Sequence, residues 1–467
     1  MRNLLYIFLL FLGIASLSAC ISDDFTTSPG VRLRFSTDTV SFDTVFTDVG
    51  TPTARLKVFN PDKKSVNISS IRFRNPDSPF SMNVDGVSGY DFSNVEIRGG
   101  DSIFIFIECF LPENQDTRPF LTSDDILFTL NGNEQSVRVE AYGQNVTRLR
   151  NAVVESDMTL TADRPYIIFD SLTVRPGATL KIEPGAQVLF HDKASLVIEG
   201  TLEAVGQPGK MIAMRGDRLD NVLPDVGYDI LAGQWRGIRF APESFGNRIE
   251  YVDMRSTSRG VVVDSTADLS RQKLTLVNSW LHNSESTVLS SVHAKVNAYG
   301  CVFSEAGDAV VSLTGGEHTF SQCTLANYYL FSIISRPILS LYHLLPDHAY
   351  DNPGNPLMKA SFNNCIIYGL ASDINEGDLT GSEVFLRYCL LKANGNDDSN
   401  FLNCIWGENP EFLTVREDYY FNYHVAEESP AIGAGDPSLV APQTLTDMDG
   451  NLRMPGGIRP TLGAYAK

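Results

Sequence analysis

Apolar and polar residues alternate over long runs in residues 31–146 and over short, turn-punctuated runs from about Leu160 onward, and this change of rhythm divides the chain. In the first part, Ala54-Arg55-Leu56-Lys57-Val58-Phe59, Val66 to Phe73, Ser102 to Cys109 and Ser136 to Ala141 place every second side chain on one face, as half-buried strands do. Turns rich in Asn, Pro and Gly separate them, so a β-sandwich is expected over 31–146. In the second part, Leu172-Thr173-Val174-Arg175-Pro176-Gly177 and Leu180-Lys181-Ile182-Glu183-Pro184-Gly185 are short strands broken by Pro-Gly turns, and Ser195 to Gly206 continues the pattern.

A repeat underlies the second part. Ser279, Cys301 and Cys323 are 22 residues apart, Cys365 follows after 42 and Cys389 after another 24. The local texts Asn278-Ser279-Trp280-Leu281, Gly300-Cys301-Val302-Phe303, Gln322-Cys323-Thr324-Leu325, Asn364-Cys365-Ile366-Ile367 and Tyr388-Cys389-Leu390-Leu391 share a small residue with an apolar one two positions on. A strand recurring at that interval is the mark of a solenoid, because one coil cannot bury its inner face alone. The 42-residue gap is one coil carrying an insertion of about 20 residues.

These texts, with Gln234-Trp235-Arg236-Gly237-Ile238-Arg239-Phe240 and Asn247-Arg248-Ile249-Glu250-Tyr251-Val252, resemble the right-handed parallel β-helix of the pectate-lyase-like superfold. The expected fold is therefore all-β: an N-terminal immunoglobulin-like sandwich over 31–146, then a right-handed, single-stranded parallel β-helix over 147–410. Residues 411–467 are expected to cap it. Ser429-Pro430-Ala431-Ile432-Gly433-Ala434-Gly435-Asp436, Asp447-Met448-Asp449-Gly450 and Leu462-Gly463-Ala464-Tyr465 resemble the choice-of-anchor Q segment. Such a segment is expected to cover the last rung's apolar face and strand edge.

The chain opens with Arg2, an apolar run from Leu4 to Leu12, and Leu17-Ser18-Ala19-Cys20, which reads as a lipoprotein signal over residues 1–19. Cys20 is then the palmitate-bearing residue. Ser22, Asp23 and Asp24, in a tether spanning 20–30, resemble the acidic export signal of Bacteroidetes surface lipoproteins. The expected address is the outer membrane, lipid-anchored and facing outward; a periplasm-facing anchor is the alternative.

Composition narrows the partners. Net charge is −19, and removing the signal takes away one further positive residue, Arg2, so a nucleic-acid partner is excluded for want of a basic footprint. Six cysteines remain beyond Cys20. Those in the repeat are read as an inward ladder of packed thiols rather than disulfides, because stacked parallel side chains do not face one another; Cys109 is read as a core thiol.

Lyase chemistry wants acidic residues holding calcium beside a base, and glycoside hydrolysis wants carboxylates on adjacent rungs. The repeat texts show neither at rung spacing. The expectation is a non-catalytic binding, scaffold or adhesion protein for extracellular polysaccharide or another surface protein; the alternative is a polysaccharide lyase or glycoside hydrolase. No cofactor or metal is called for. The one calcium option is the acidic insertion holding Asp217, Asp220, Asp225 and Asp229. The candidate ligand loop is the later insertion, with Tyr342, His343, Asp347, His348, Tyr350 and Asp351. Trp235 is assigned to the core, since Ile238 and Phe240 continue its alternation.

Overall fold

A computed structural model describes residues 24–115, 118–223, 225–334, 336–342, 359–374 and 383–467. Cys20, Ser22 and Asp23 lie outside the described residues, as do His343, Asp347, His348, Tyr350 and Asp351. The chain divides into two compact units at Asn145/Val146.

The N-terminal unit is a β-sandwich of two five-stranded sheets. One is built around Ala54–Phe59, Ser102–Cys109 and Phe80–Val84, the other around Thr39–Phe46, Asn133–Gln144, Phe120–Leu130 and Ser70–Phe73. The alternation works as the sequence implies: Leu56, Val58, Ile105, Ile107, Val137 and Val139 are fully buried between the sheets. Cys109 is in that core, and burial pushes its thiol up to about 12. Part of the expected tether belongs to this unit: Phe25 bridges Ser65, and Asn131 Nδ2 donates to the carbonyls of Thr26 and Ser28. Asp24 makes an exposed ion pair with Lys64 at 3.7 Å.

The second unit is a parallel β-helix. Each complete coil contributes a strand to three ladders, here called the first, second and third faces. One coil runs Trp280–Ser284 on the first face, Leu289–Val292 on the second and Lys295–Tyr299 on the third. The next runs Val302–Ala306, Val311–Thr314 and Glu317–Ser321 in matching register. The first and second faces form one seventeen-stranded sheet, the third a ten-stranded one. Leu281, Phe303, Leu325 and Ile367 stack inward as one continuous core with Trp235, which is fully buried and stacked on Phe190 at 3.8 Å between centroids.

The cysteines stand at the corner just before each first-face strand rather than within it. Each follows a residue in left-handed backbone: Gly300 (φ 65°), Gln322 (56°), Asn364 (53°), Tyr388 (52°) and Asn403 (56°). That bend turns the chain from third face to first. Cys301, Cys323, Cys365 and Cys389 are buried and unbonded to one another, and their Sγ atoms donate to carbonyls two residues back, such as Cys365 to Asn363 O at 3.3 Å. Ser279 occupies the same station, its hydroxyl on Val277 O at 2.8 Å.

The C-terminal segment corrects one expectation. It does not simply close the end of the solenoid; it lies along the flank, over the outward side of the first face. Met448, Ala464, Phe421 and Tyr423 pack on Val302 and Ala326, and Val425, Ala431 and Leu462 on Ile366 and Leu390. The corner residues anchor it. Asn364 donates to Asp436 O (3.0 Å) and accepts from Asp436 N (2.8 Å), and Gln322 donates to Thr461 O at 3.0 Å. Arg453, fully buried, donates to Gly463 O and Ala464 O. Asp447 accepts from the backbone of Asp449, Asn451 and Ala466, so the Asp-Met-Asp-Gly text is a hydrogen-bonded turn.

Candidate functional site

The outward side of the first face changes character along the stack. In the row Arg215, Arg255, His282, Ser304, Ala326, Tyr368 and its neighbour Asp253, Trp280, Val302, Thr324, Ile366, ionic residues occupy the early rungs and apolar ones the late rungs. The C-terminal segment covers the apolar part. The ionic part forms the floor of a cleft of about 270 Å³.

Two walls rise over this floor. One is the acidic insertion, Asp225 to Ile230; the other is the turn of a hairpin formed by Phe412–Val415 and Phe421–Val425, contributing Asp418, Tyr419 and Tyr420. Three residues in one vertical row hold both walls. Ser256 Oγ donates to Asp229 O (2.7 Å), Asn283 Nδ2 to Asp229 O and Ile230 O (2.7 and 2.9 Å), and the carboxyl of Glu305 meets the Tyr423 hydroxyl. All three adopt left-handed backbone, with φ of 66°, 54° and 49°. Asn tolerates that region; Ser and Glu do so at a cost of roughly 1 kcal/mol each.

The floor is a set of hydrogen-bonded and ion-paired side chains. His282 Nε2 lies 3.0 Å from Asp253, and its Nδ1 faces Glu305 at 3.9 Å. Trp280 stacks on the imidazole at 4.2 Å and donates its indole N–H to Ser304 Oγ (2.9 Å), whose hydroxyl donates to Glu305 at 2.6 Å. Arg255 bridges Asp229 (3.0 Å) and Asp253 (3.5 Å), and Arg215 reaches Asp229 at 3.3 Å. Burial pushes Glu305 up to about 8, despite hydrogen bonds from Ser304 and Tyr423, so it is largely a neutral acid near pH 7. Burial also lowers His282, leaving it neutral. For Asp253, burial acts upward, but His282, Arg255 and Arg215 outweigh it and hold the carboxyl below its ordinary range. Two carboxyl groups on one face are thus driven apart in acidity by their surroundings, a pattern common at working sites.

The arrangement adds a polar set that the repeat texts do not display, with its two carboxyl groups two rungs apart and His282 on the rung between them. Asp253, His282 and Glu305 are 29 and 23 residues apart, on successive coils of 27 and 22 residues. The repeat texts anchored on the corner cysteines and serines did not include them, and Tyr423 comes from 118 residues beyond Glu305. The signal that was present is the succession of polar outward positions, Asp253-x-Arg255 and Trp280-x-His282, in place of the apolar ones that follow.

The sequence-derived candidates fare unevenly. Three of the acidic insertion's four carboxylates are occupied by side chains of the protein, Asp220 by Arg218, Asp229 by Arg215 and Arg255, and Asp217 by His191 at 2.7 Å, while Asp225 has no ion-pair partner among the described residues. Among the described residues no cluster of His, Cys, Asp and Glu could hold a metal. Tyr342 is half-buried on the second face beside Thr314, away from the cleft's lining. Further cavities open on the far side of each wall, one lined by His191, Tyr228 and Gln234, the other by Tyr328, Tyr368, Lys392 and Glu411.

No family model matches the chain. One curated protein, Protein bark beetle of Drosophila melanogaster, is 37% identical over 70 residues, 15% of this chain and 2% of that protein. Among solved structures, a protein of unknown function from Porphyromonas gingivalis W83 is 14% identical with a TM-score of 0.19, over 27% of this chain and 50% of that one. A family 123 glycoside hydrolase from Clostridium perfringens is 10% identical with a TM-score of 0.18, over 26% and 30% respectively. The chain spans a fraction of each, and these likenesses carry no functional argument.

Proposed function

We propose that this chain is an outer-membrane lipoprotein, anchored through acylated Cys20 and displayed outward by its Ser22-Asp23-Asp24 tether, whose first-face cleft holds a segment of extracellular glycan without turning it over. The carrying observation is the cleft itself. Its hairpin wall offers Tyr419 and Tyr420, 43% and 61% exposed, beside a half-buried Trp280, with Asn283, Arg255 and carboxylates between them. Flat rings suit the C–H faces of sugars, and the polar groups between them suit hydroxyls. A protein partner fits less well, since a stable interface needs upward of about 1,000 Å² and the cleft is small and ionic. The N-terminal sandwich, read as immunoglobulin-like, then serves as a spacer, and the C-terminal segment, read as choice-of-anchor Q-like, builds one wall.

A second reading is favoured by one specific observation: Glu305 is a neutral acid and Asp253 an ionised base on either side of His282. That set matches glycoside hydrolysis in chemistry, but the imidazole fills the space where the substrate's bond would sit between the carboxyl groups. The test is retention of the full chain on immobilised polysaccharides, with the supernatant assayed for products. Y419A/Y420A should lose at least about tenfold in retention while keeping its melting temperature. New reducing ends or unsaturated products, abolished by E305Q, would establish the enzyme instead.

A further inference from the structure

We infer that the cleft takes an uncharged glycan and excludes uronate or sulfated ones, an inference that rests on the glycan-binding function proposed above. Charge and hydrogen-bonding capacity around the cleft are unevenly balanced. Among the described residues lining it, Arg255 is the single cation, and its guanidinium is already spent on Asp229 and Asp253. Arg215 behind it is likewise held by Asp229 and by the Arg218 carbonyl. Recognition of a carboxylate or sulfate calls for a free guanidinium or ammonium, and among the described residues lining the cleft there is none.

The acids, by contrast, are in surplus. Asp225 and Asp418 stand exposed on opposite walls, with no ion-pair partner among the described residues, and Asp229 lies between them. A rim of carboxylates is rich in acceptors and poor in donors. Sugar hydroxyls donate into such a rim; a uronate brings a further anion to it. The whole chain, at net −19, repels the same polymers at longer range. The cleft is therefore matched to neutral hexose or pentose units, whose hydroxyls complete the carboxylates while their C–H faces meet Tyr419, Tyr420 and Trp280.

The experiment titrates the full-length protein, in detergent, with a neutral hexosan and a polyuronate of matched chain length, at low and high ionic strength. Wild type should retain the neutral polymer and not the polyuronate. In D225N/D418N both substituted positions have left-handed backbone, φ 62° and 51°, which Asn accommodates as Asp does. This variant should shift the ratio of polyuronate to neutral-polymer affinity by about tenfold or more toward the polyuronate, a gain removed by high salt. Polyuronate bound by wild type as tightly as the neutral polymer, or a double variant with no gain, overturns the inference and leaves glycan binding standing. Retention of neither polymer removes the binding function itself.

Discussion

Glu305 concentrates the chemistry of the molecule in one residue. Its side chain is 3% exposed, its backbone is left-handed, and it is the point where the hairpin fastens to the solenoid. Because its folded acidity is displaced from the ordinary 4.5 to about 8, the folded state binds a proton that the unfolded chain gives up across that interval. Stability from this group is complete below about 4.5 and declines as pH rises through about 8, by an amount on the order of a few kcal/mol. E305Q keeps the acceptor for Tyr423 and cannot ionise, so its melting temperature should overtake that of wild type as pH is raised from 5 toward 9. Parallel pH profiles for the two proteins would show that the carboxyl does not titrate in this range. Nothing in the local text around Glu305 announces this role. The residue becomes special only because coils of 27 and 22 residues stack it near His282 and Asp253, and because Tyr423 returns from far along the chain.

At the scale of elements, the corner ladder was the most legible feature, and the structure explains why. A small buried residue recurring once per coil is forced by the tight turn from third face to first, so it survives in the sequence as a period. What the period does not carry is the direction of the preceding polar residue. Asn364 and Gln322 point out of the corner and dock the C-terminal segment, so a segment expected over the end lies along the flank. Adjacent apolar residues, Val302-Phe303, Ile366-Ile367 and Leu390-Leu391, are the trace of a face buried on both sides. Two outcomes test this layer. Reducing agent should leave thermal stability unchanged, since the thiols are unbonded, whereas Cys323→Asp should cost about 3 kcal/mol or more by placing an unpaired charge between rungs. N364A should lose roughly 1–3 kcal/mol and, in limited proteolysis, open the segment after Asp436 before the β-helix itself.

For the whole molecule, address and architecture make separate claims. The address rests on Cys20: C20A should leave the chain without incorporated palmitate and no longer membrane-bound, and equal labelling of the variant would contradict it. Changing Asp23 and Asp24 together to Ala should reduce digestion by external protease on intact cells; among the described residues Asp24 pairs with an exposed Lys64, a contact worth little to the fold. The central claim concerns the cleft, and hydrogen exchange with and without the retained polysaccharide tests it most directly. The account predicts slowed amide exchange in 225–230, 281–283 and 418–421, the two walls and the floor between them. Protection confined to the insertion at 343–358, with no change in those three segments, would contradict it.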